Sequence, residues 1–172
     1  GQPIAALSTT NVPGSNNPAP FVPADFSRAD PIEDGVIQLG WDKLSGFKFD
    51  VYEVYSETNA GRAMIRSDDT IPAPMKSYDG KAVSITGFVL PLRTKKGLVT
   101  EFLLLRDQGT CCFGARAQIN HFIRVRYGGG FQYEVAAAVK VSGTLQVGEV
   151  YIQGYLTGIY GMDARKVGAL TD

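Results

Sequence analysis

The feature that most constrains this chain is a set of alternating apolar runs with glycine inside them. In residues 81–90, Val83, Ile85, Gly87 and Val89 fall on one side, while Ala82, Ser84, Thr86, Phe88 and Leu90 fall on the other. That two-residue period is a strand with one core face and one mixed face. Residues 136–147 alternate again through Val139, Val141, Gly143, Leu145 and Val147, and residues 150–160 carry Gly154 and Gly158. Glycine inside a strand marks a bend or a bulge, so these runs predict strands that curl rather than lie flat.

Further strands are expected at 36–41, at 47–55 through Phe47, Phe49 and Val51, at 99–106 and at 121–127. In the last, His121, Ile123, Val125 and Tyr127 share a face opposite Phe122, Arg124 and Arg126. Pro91 is expected to end the strand at 81–90, residues 93–97 to form a charged hairpin loop, residues 128–130 a glycine loop, and residues 148–149 a turn. Residues 56–70 read as a polar connection. A turn or a single helical turn is expected at 42–46, one helical turn at 75–78, and a short terminal helix at 162–167 with Asp163 as its cap. Twenty glycines, eight tyrosines and nine phenylalanines favour strands and turns over helices, and no helix signal of substantial length competes. The expected fold is mainly β: a small five-stranded, partly open barrel of the oligonucleotide/oligosaccharide-binding (OB) kind, with an N-terminal extension and short helical turns. A β-sandwich is the runner-up.

Residues 1–35 read as a proline-rich arm, with Pro3, Pro13, Pro18, Pro20, Pro23 and Pro31 among small polar residues. Phe21 and Phe26 are the arm's aromatics, suited to packing on the domain or on a partner. Residues 36–70 then supply N-terminal strands and a connection, and residues 71–172 the barrel. The chain starts at Gly1 rather than Met, which points to a trimmed piece or to a processed form that has lost a targeting segment. The longest apolar run, residues 102–105, stops at Arg106, far short of the roughly 20 residues a membrane helix needs, so no transmembrane segment is expected. Seventeen basic residues balance seventeen acidic ones, leaving a formal charge of zero and no whole-chain field for nucleic acid or an anionic membrane. Arg93, Lys95, Lys96, Arg106, Arg124 and Arg126 could still form a local basic surface, and Tyr151, Tyr155 and Tyr160 could stack bases beside it. The competing reading is a solvated outer face with tyrosines packed on the sheet and their hydroxyls wet, and no nucleic-acid partner is expected. Residues 128–130 lack the Lys-Ser/Thr and the helix that would make a phosphate loop.

The chemistry concentrates in Cys111-Cys112-Phe113-Gly114, which holds the only two cysteines, and in His121, the only histidine. Adjacent Cα atoms sit about 3.8 Å apart across a trans peptide, below the roughly 4.4–6.8 Å range of disulfides, so the two make a poor pair for each other and no mutual disulfide is expected. Cys111, Cys112 and His121 could ligate zinc or copper, with Asp107, water or a second chain as fourth ligand; otherwise no cofactor is expected. A cysteine nucleophile could draw on His121 with Asp107 or Asn120, although the motif lacks a strand-to-helix elbow and a second histidine. A redox role or an intermolecular disulfide through one thiol is a further option. The plain alternative has one thiol buried, one half-exposed, and His121 hydrogen-bonded at the core edge.

From about residue 40 onward the chain resembles a bacterial family of unknown function, made of small exported or lipid-anchored proteins with an OB-like barrel. The likeness is carried by Ile71-Pro72, Tyr78-Asp79-Gly80-Lys81, Ile85-Thr86-Gly87-Phe88-Val89-Leu90-Pro91, Thr100-Glu101-Phe102-Leu103-Leu104, Cys111-Cys112-Phe113-Gly114, Gly154-Tyr155 and Met162-Asp163-Ala164. The resemblance implies fold and export and supplies no activity. The expected function is a non-catalytic binding module of the cell envelope or periplasm, docking a protein partner or small ligand beside the cysteine loop, with Phe113, Arg106 and Arg124 as binding residues. The alternatives are a metal or redox thiol site and, behind it, a cysteine-dependent enzyme.

Overall fold

The computed structural model describes residues 21–55, 63–108 and 118–170. Among these residues the chain runs through β1 (Ile32–Glu33), β2 (Val36–Gln38), α1 (Trp41–Leu44), β3 (Tyr52–Tyr55), β4 (Ala63–Arg66) and α2 (Ala73–Lys76). Five long strands follow: β5 (Ala82–Lys95), β6 (Leu98–Leu105), β7 (Phe122–Phe131), β8 (Ala138–Ile152) and β9 (Tyr155–Ala169).

The long strands lie in the order β5-β6-β7-β9-β8, and β8 pairs back onto β5, so the sheet returns on itself as a partly closed ring. Neighbours in the ring are antiparallel except β7 and β9, which run parallel. Closure depends on β5 changing partner midway, from β8 along residues 82–88 to β6 along residues 88–95. Gly87 sits at the handover, where a Cβ would stand 2.6 Å from the Leu105 carbonyl oxygen. The glycine bend expected from the sequence is thus a site of close backbone approach. The molecule is mainly β and barrel-like, with two short helices, as the alternation predicts.

The predicted inward faces are the core. Val83, Ile85 and Val89 of β5, Phe102 and Leu104 of β6, Ile123 and Val125 of β7, and Val139, Val141 and Leu145 of β8 are buried together with Ile159 and Met162 of β9. Each such side chain contributes roughly 1.5–3 kcal/mol by leaving water. Leu44 of α1 and Met75 of α2 join the same cluster, which explains why single helical turns persist here: each inserts one apolar residue.

Residues 36–41 occupy the flank of β5 that β6 does not reach. β2 pairs parallel with Val83 and Ser84; Leu39 N–H then donates to the Ser84 carbonyl (3.0 Å) and Trp41 Nε1 to the Thr86 carbonyl (2.7 Å). β1 adds antiparallel to β2. Upstream, Ala24 N–H donates to the Gly46 carbonyl at 2.8 Å. Phe26 packs against the core, whereas Phe21 is 62% exposed.

Several local expectations fail, each for a reason of pairing. β5 continues through Pro91 to Lys95, because beyond Phe88 one flank has lost β8 and a proline lacking N–H costs no ladder bond there. The charged hairpin loop shrinks to Lys96-Gly97, both at positive φ (54° and 80°), the signature of a two-residue turn. Residues 128–130 are not a loop: β7 runs through them as an irregularity between the Arg126–Glu101 and Phe131–Val99 pairings. Residues 148–149 form a bulge inside β8, and the turn falls at Gln153-Gly154. The strand expected at 47–55 is confined to Tyr52–Tyr55, which pairs with Ala63–Arg66 from the stretch read as a connection. The terminal helix is absent. Residues 160–169 pair with β8 from Tyr160–Val147 to Ala169–Val139, and an available ladder outweighs a short exposed helix with one cap. Asp163 instead accepts from Arg126 Nε (3.2 Å) and Gln146 Nε2 (2.8 Å).

Candidate functional site

Cys111, Cys112 and Phe113 lie outside the described residues, within 109–117. The described residues on either side of that segment, 106–108 just after β6 and 118–121 just before β7, hold two predicted site residues together. Arg106 N–H donates to the His121 carbonyl at 3.0 Å, extending the β6–β7 ladder by one rung. The Arg106 guanidinium Nη1 then reaches the Ser45 hydroxyl at 3.2 Å and His121 Nε2 at 3.4 Å. Ser45, just past α1, is buried and donates its own proton to the Trp41 carbonyl at 2.6 Å.

Arg124 does not join them. It belongs to the outward face of β7, is exposed, and donates through Nε to Glu101 at 2.7 Å. Arg93 approaches the same carboxylate at 3.7 Å, and Arg126 pairs with Asp163 at 3.2 Å. The outer arginines are therefore interleaved with carboxylates, the solvated face that the sequence allowed as the plainer reading. Of the tyrosines, Tyr151 is exposed and donates to Glu149 at 3.0 Å, but Tyr160 is buried with its hydroxyl donating to the Leu44 carbonyl at 2.6 Å. The expectation of a wet hydroxyl fails at Tyr160, and burial pushes that phenol far above its usual range.

His121 is half-buried, and its pKa is lowered from 6.5, first by desolvation and then by the Arg106 charge, with Asp107 opposing. Arginine only donates, so the contact with Arg106 assigns the acceptor role to Nε2 and the proton to Nδ1. A neutral imidazole with an occupied Nε2 fits the hydrogen-bonded core-edge histidine. Among the described residues no group of three or more His, Cys, Asp or Glu could hold a metal.

Two polar residues are buried in a way that the sequence pattern does not mark: Asn120, considered above only as a partner for His121, and Lys43. Asn120 is 1% exposed; its Nδ2 donates to the Phe47 carbonyl at 2.7 Å, and its Oδ1 has no hydrogen-bond partner among the described residues. Lys43 is also 1% exposed, with Nζ 2.9 Å from Asp30 Oδ1, 2.5 Å from the Arg28 carbonyl and 3.2 Å from the Tyr78 hydroxyl, which itself donates to Asp30. No signal in the sequence marks Lys43 as buried, since a lysine in a one-turn helix ordinarily faces water. Two shallow depressions lie elsewhere: about 240 Å³ between Trp41, Thr86 and Lys140, and about 430 Å³ between α2 and the β8 bulge.

Residues 43–169 match the family described as protein of unknown function, DUF3299, a span that takes in all the long strands and both sides of the Arg106–His121 cluster. The chain belongs to the DUF3299 family. The crystal structure of a DUF3299 family protein from Pseudomonas aeruginosa PAO1, at 2.45 Å resolution, is similar at 22% identity, with a TM-score of 0.57, over 80% of this chain and 97% of that one. At that identity the likeness concerns the fold. No curated protein matches the chain. No helix in the described part of this DUF3299 protein is long and apolar enough to cross a membrane.

Proposed function

We propose that this DUF3299 chain is an exported, non-catalytic binding module of the cell envelope that docks a protein partner or small ligand where β6 ends and β7 begins. The observation that carries the reading is the Arg106–Ser45–His121 cluster at that end of the ring, with the buried, unpartnered Asn120 Oδ1 in the same stretch as His121. In sequence these residues flank 109–117, so Cys111, Cys112 and Phe113 belong to the proposed docking region. A curled five-stranded ring of OB-like order is a scaffold suited to presenting loops to a ligand. The proline-rich sequence ahead of residue 24 suits a tether behind an export signal or a lipid anchor.

A photo-crosslinking residue at Asp107, compared with one at Lys96 at the opposite end of β6, tests the assignment in cells. Intact-mass measurement should find a discrete adduct, protein or small molecule, from position 107 and none from position 96. Equal labelling, or none at 107, removes the reading.

One observation favours a second reading, a thiol site for zinc, copper or redox chemistry using Cys111, Cys112 and His121. A neutral imidazole and the Arg106 cation both flank the cysteine segment in sequence, and a nearby cation favours thiolate. Metal analysis of untagged protein with thiol titration decides it: stoichiometric metal lost in Cys112→Ser moves the assignment to a metal centre. A cysteine-dependent enzyme is weaker still, because His121 would have to release Arg106 to act as base.

A further inference from the structure

The described arginines divide in an unexpected way. Arg28, Arg66, Arg93, Arg124, Arg126 and Arg165 are exposed, and Arg106 is not. Four of the exposed ones hold a carboxylate: Arg28 that of Asp42, Arg93 and Arg124 that of Glu101, and Arg126 that of Asp163. Arg106, the arginine most withdrawn from water, has no carboxylate partner among the described residues. This inverts the physical requirement, since a cation losing water needs a counter-charge more than an exposed one does.

What Arg106 has instead is an orienting frame. Its Nη1 is fixed between Ser45 Oγ and His121 Nε2, and the serine is itself only 6% exposed and held by the Trp41 carbonyl. Nε and Nη2 carry no hydrogen bond among the described residues. These two N–H groups form the side of the guanidinium fork that matches two oxygens of a carboxylate or phosphate. His121, with Nε2 taken by Arg106, keeps its proton on Nδ1. Asp107, the adjacent acid, is exposed and forms no ion pair with Arg106.

We propose that Arg106, positioned by Ser45 and His121, is the anion-recognition group of this end of the ring and takes a carboxylate or phosphate group of the docked ligand through Nε and Nη2. The inference rests on the reading of this end as the docking site and names the chemistry it selects.

The test is an NMR titration of the full chain with sodium acetate, inorganic phosphate and, at matched ionic strength, sodium chloride, following the Arg106 Nε–H and His121 ring signals. Acetate or phosphate should give saturable shifts that chloride does not, and the stronger of the two identifies the group. Binding should weaken by about tenfold or more in Arg106→Gln, as expected for losing charge-assisted hydrogen bonds. It should weaken partially in Arg106→Lys, which keeps the charge without the fork, and stay unchanged in Arg124→Gln. At saturation the His121 titration should move upward, since the Arg106 charge that holds it down is then neutralised; Arg106 and Asp107 are the charged groups acting on that ring. The proposal is overturned if chloride reproduces the shifts, if Arg106→Gln or Arg106→Lys binds like the parent, or if Arg124→Gln loses binding equally. An adduct at position 107 with no anion response removes this inference alone. An anion response without an adduct removes the docking reading alone.

Discussion

Lys43 shows how a single residue can tie distant parts of the chain. Burial alone would lower the pKa of its ammonium group, but hydrogen bonds to Asp30 and Tyr78 and their charge more than offset that, so it stands above the usual 10.5. Because the folded value is raised above the unfolded one, the group's contribution is fully present below pH 10.5 and is lost as pH rises through the folded value. Removing one partner of a buried pair strands the other, at a cost of about 3–5 kcal/mol. Asp30→Asn should therefore destabilise the fold by roughly 3 kcal/mol or more. Lys43→Met, which removes the buried charge itself and leaves Asp30 partly in water and bonded to Tyr78, should cost less and should flatten the alkaline loss. Urea unfolding at neutral and at strongly alkaline pH, on parent and both variants, measures both effects.

At the scale of elements, the ring is decided by where strands change partner. β8 carries a register shift between Ser142 and Gly143, and a Cβ at Gly143 would overlap the Asp163 carbonyl oxygen and stand 2.7 Å from the Ala164 Cα of β9. Those are backbone atoms and cannot rotate away. Gly143→Ala should lower stability by about 2–3 kcal/mol, the cost of forcing packed elements apart. Gly148→Ala, in the same strand but facing open space, should stay within about 0.5 kcal/mol. Thermal melts of the two variants give the comparison. The sequence announced curvature at such glycines through period-two alternation, yet Gly143 and Gly148 look alike as letters. Only the approach of β9 separates them. The same limit explains Pro91 and residues 128–130, where a breaker is tolerated because one flank is unpaired or the ladder is already irregular.

At the scale of the molecule, the N-terminal segment completes the structure. Residues 24–41 cover the β5 flank that β6 leaves open, bring Phe26 to the core and supply Asp30 and the Arg28 carbonyl to Lys43. A chain that starts at residue 35 keeps every ring strand but leaves the Lys43 ammonium without its carboxylate. Its melting temperature should fall by about 10 °C, the shift expected for losing 3–5 kcal/mol in a domain of this size. Scanning calorimetry against the full chain checks it, and an unchanged transition would show that the ring stands without its strap.

By itself the sequence determined the inward faces of the ring, because alternation of apolar side chains reports which side of a strand loses water whatever its partners are. It determined the outward position of Arg124 and Arg126 on the same grounds, and it drew attention to the stretch between β6 and β7 through its cysteines and its one histidine. Tertiary structure decided what depends on the neighbour. It determined that residues 160–169 form a strand rather than a helix, that Tyr160 hides its hydroxyl against Leu44, that Lys43 is buried, and that Arg106, unlike Arg124, has no carboxylate partner among the described residues. Charge pairing and desolvation are properties of what lies across from a residue in space, and a linear pattern does not encode them.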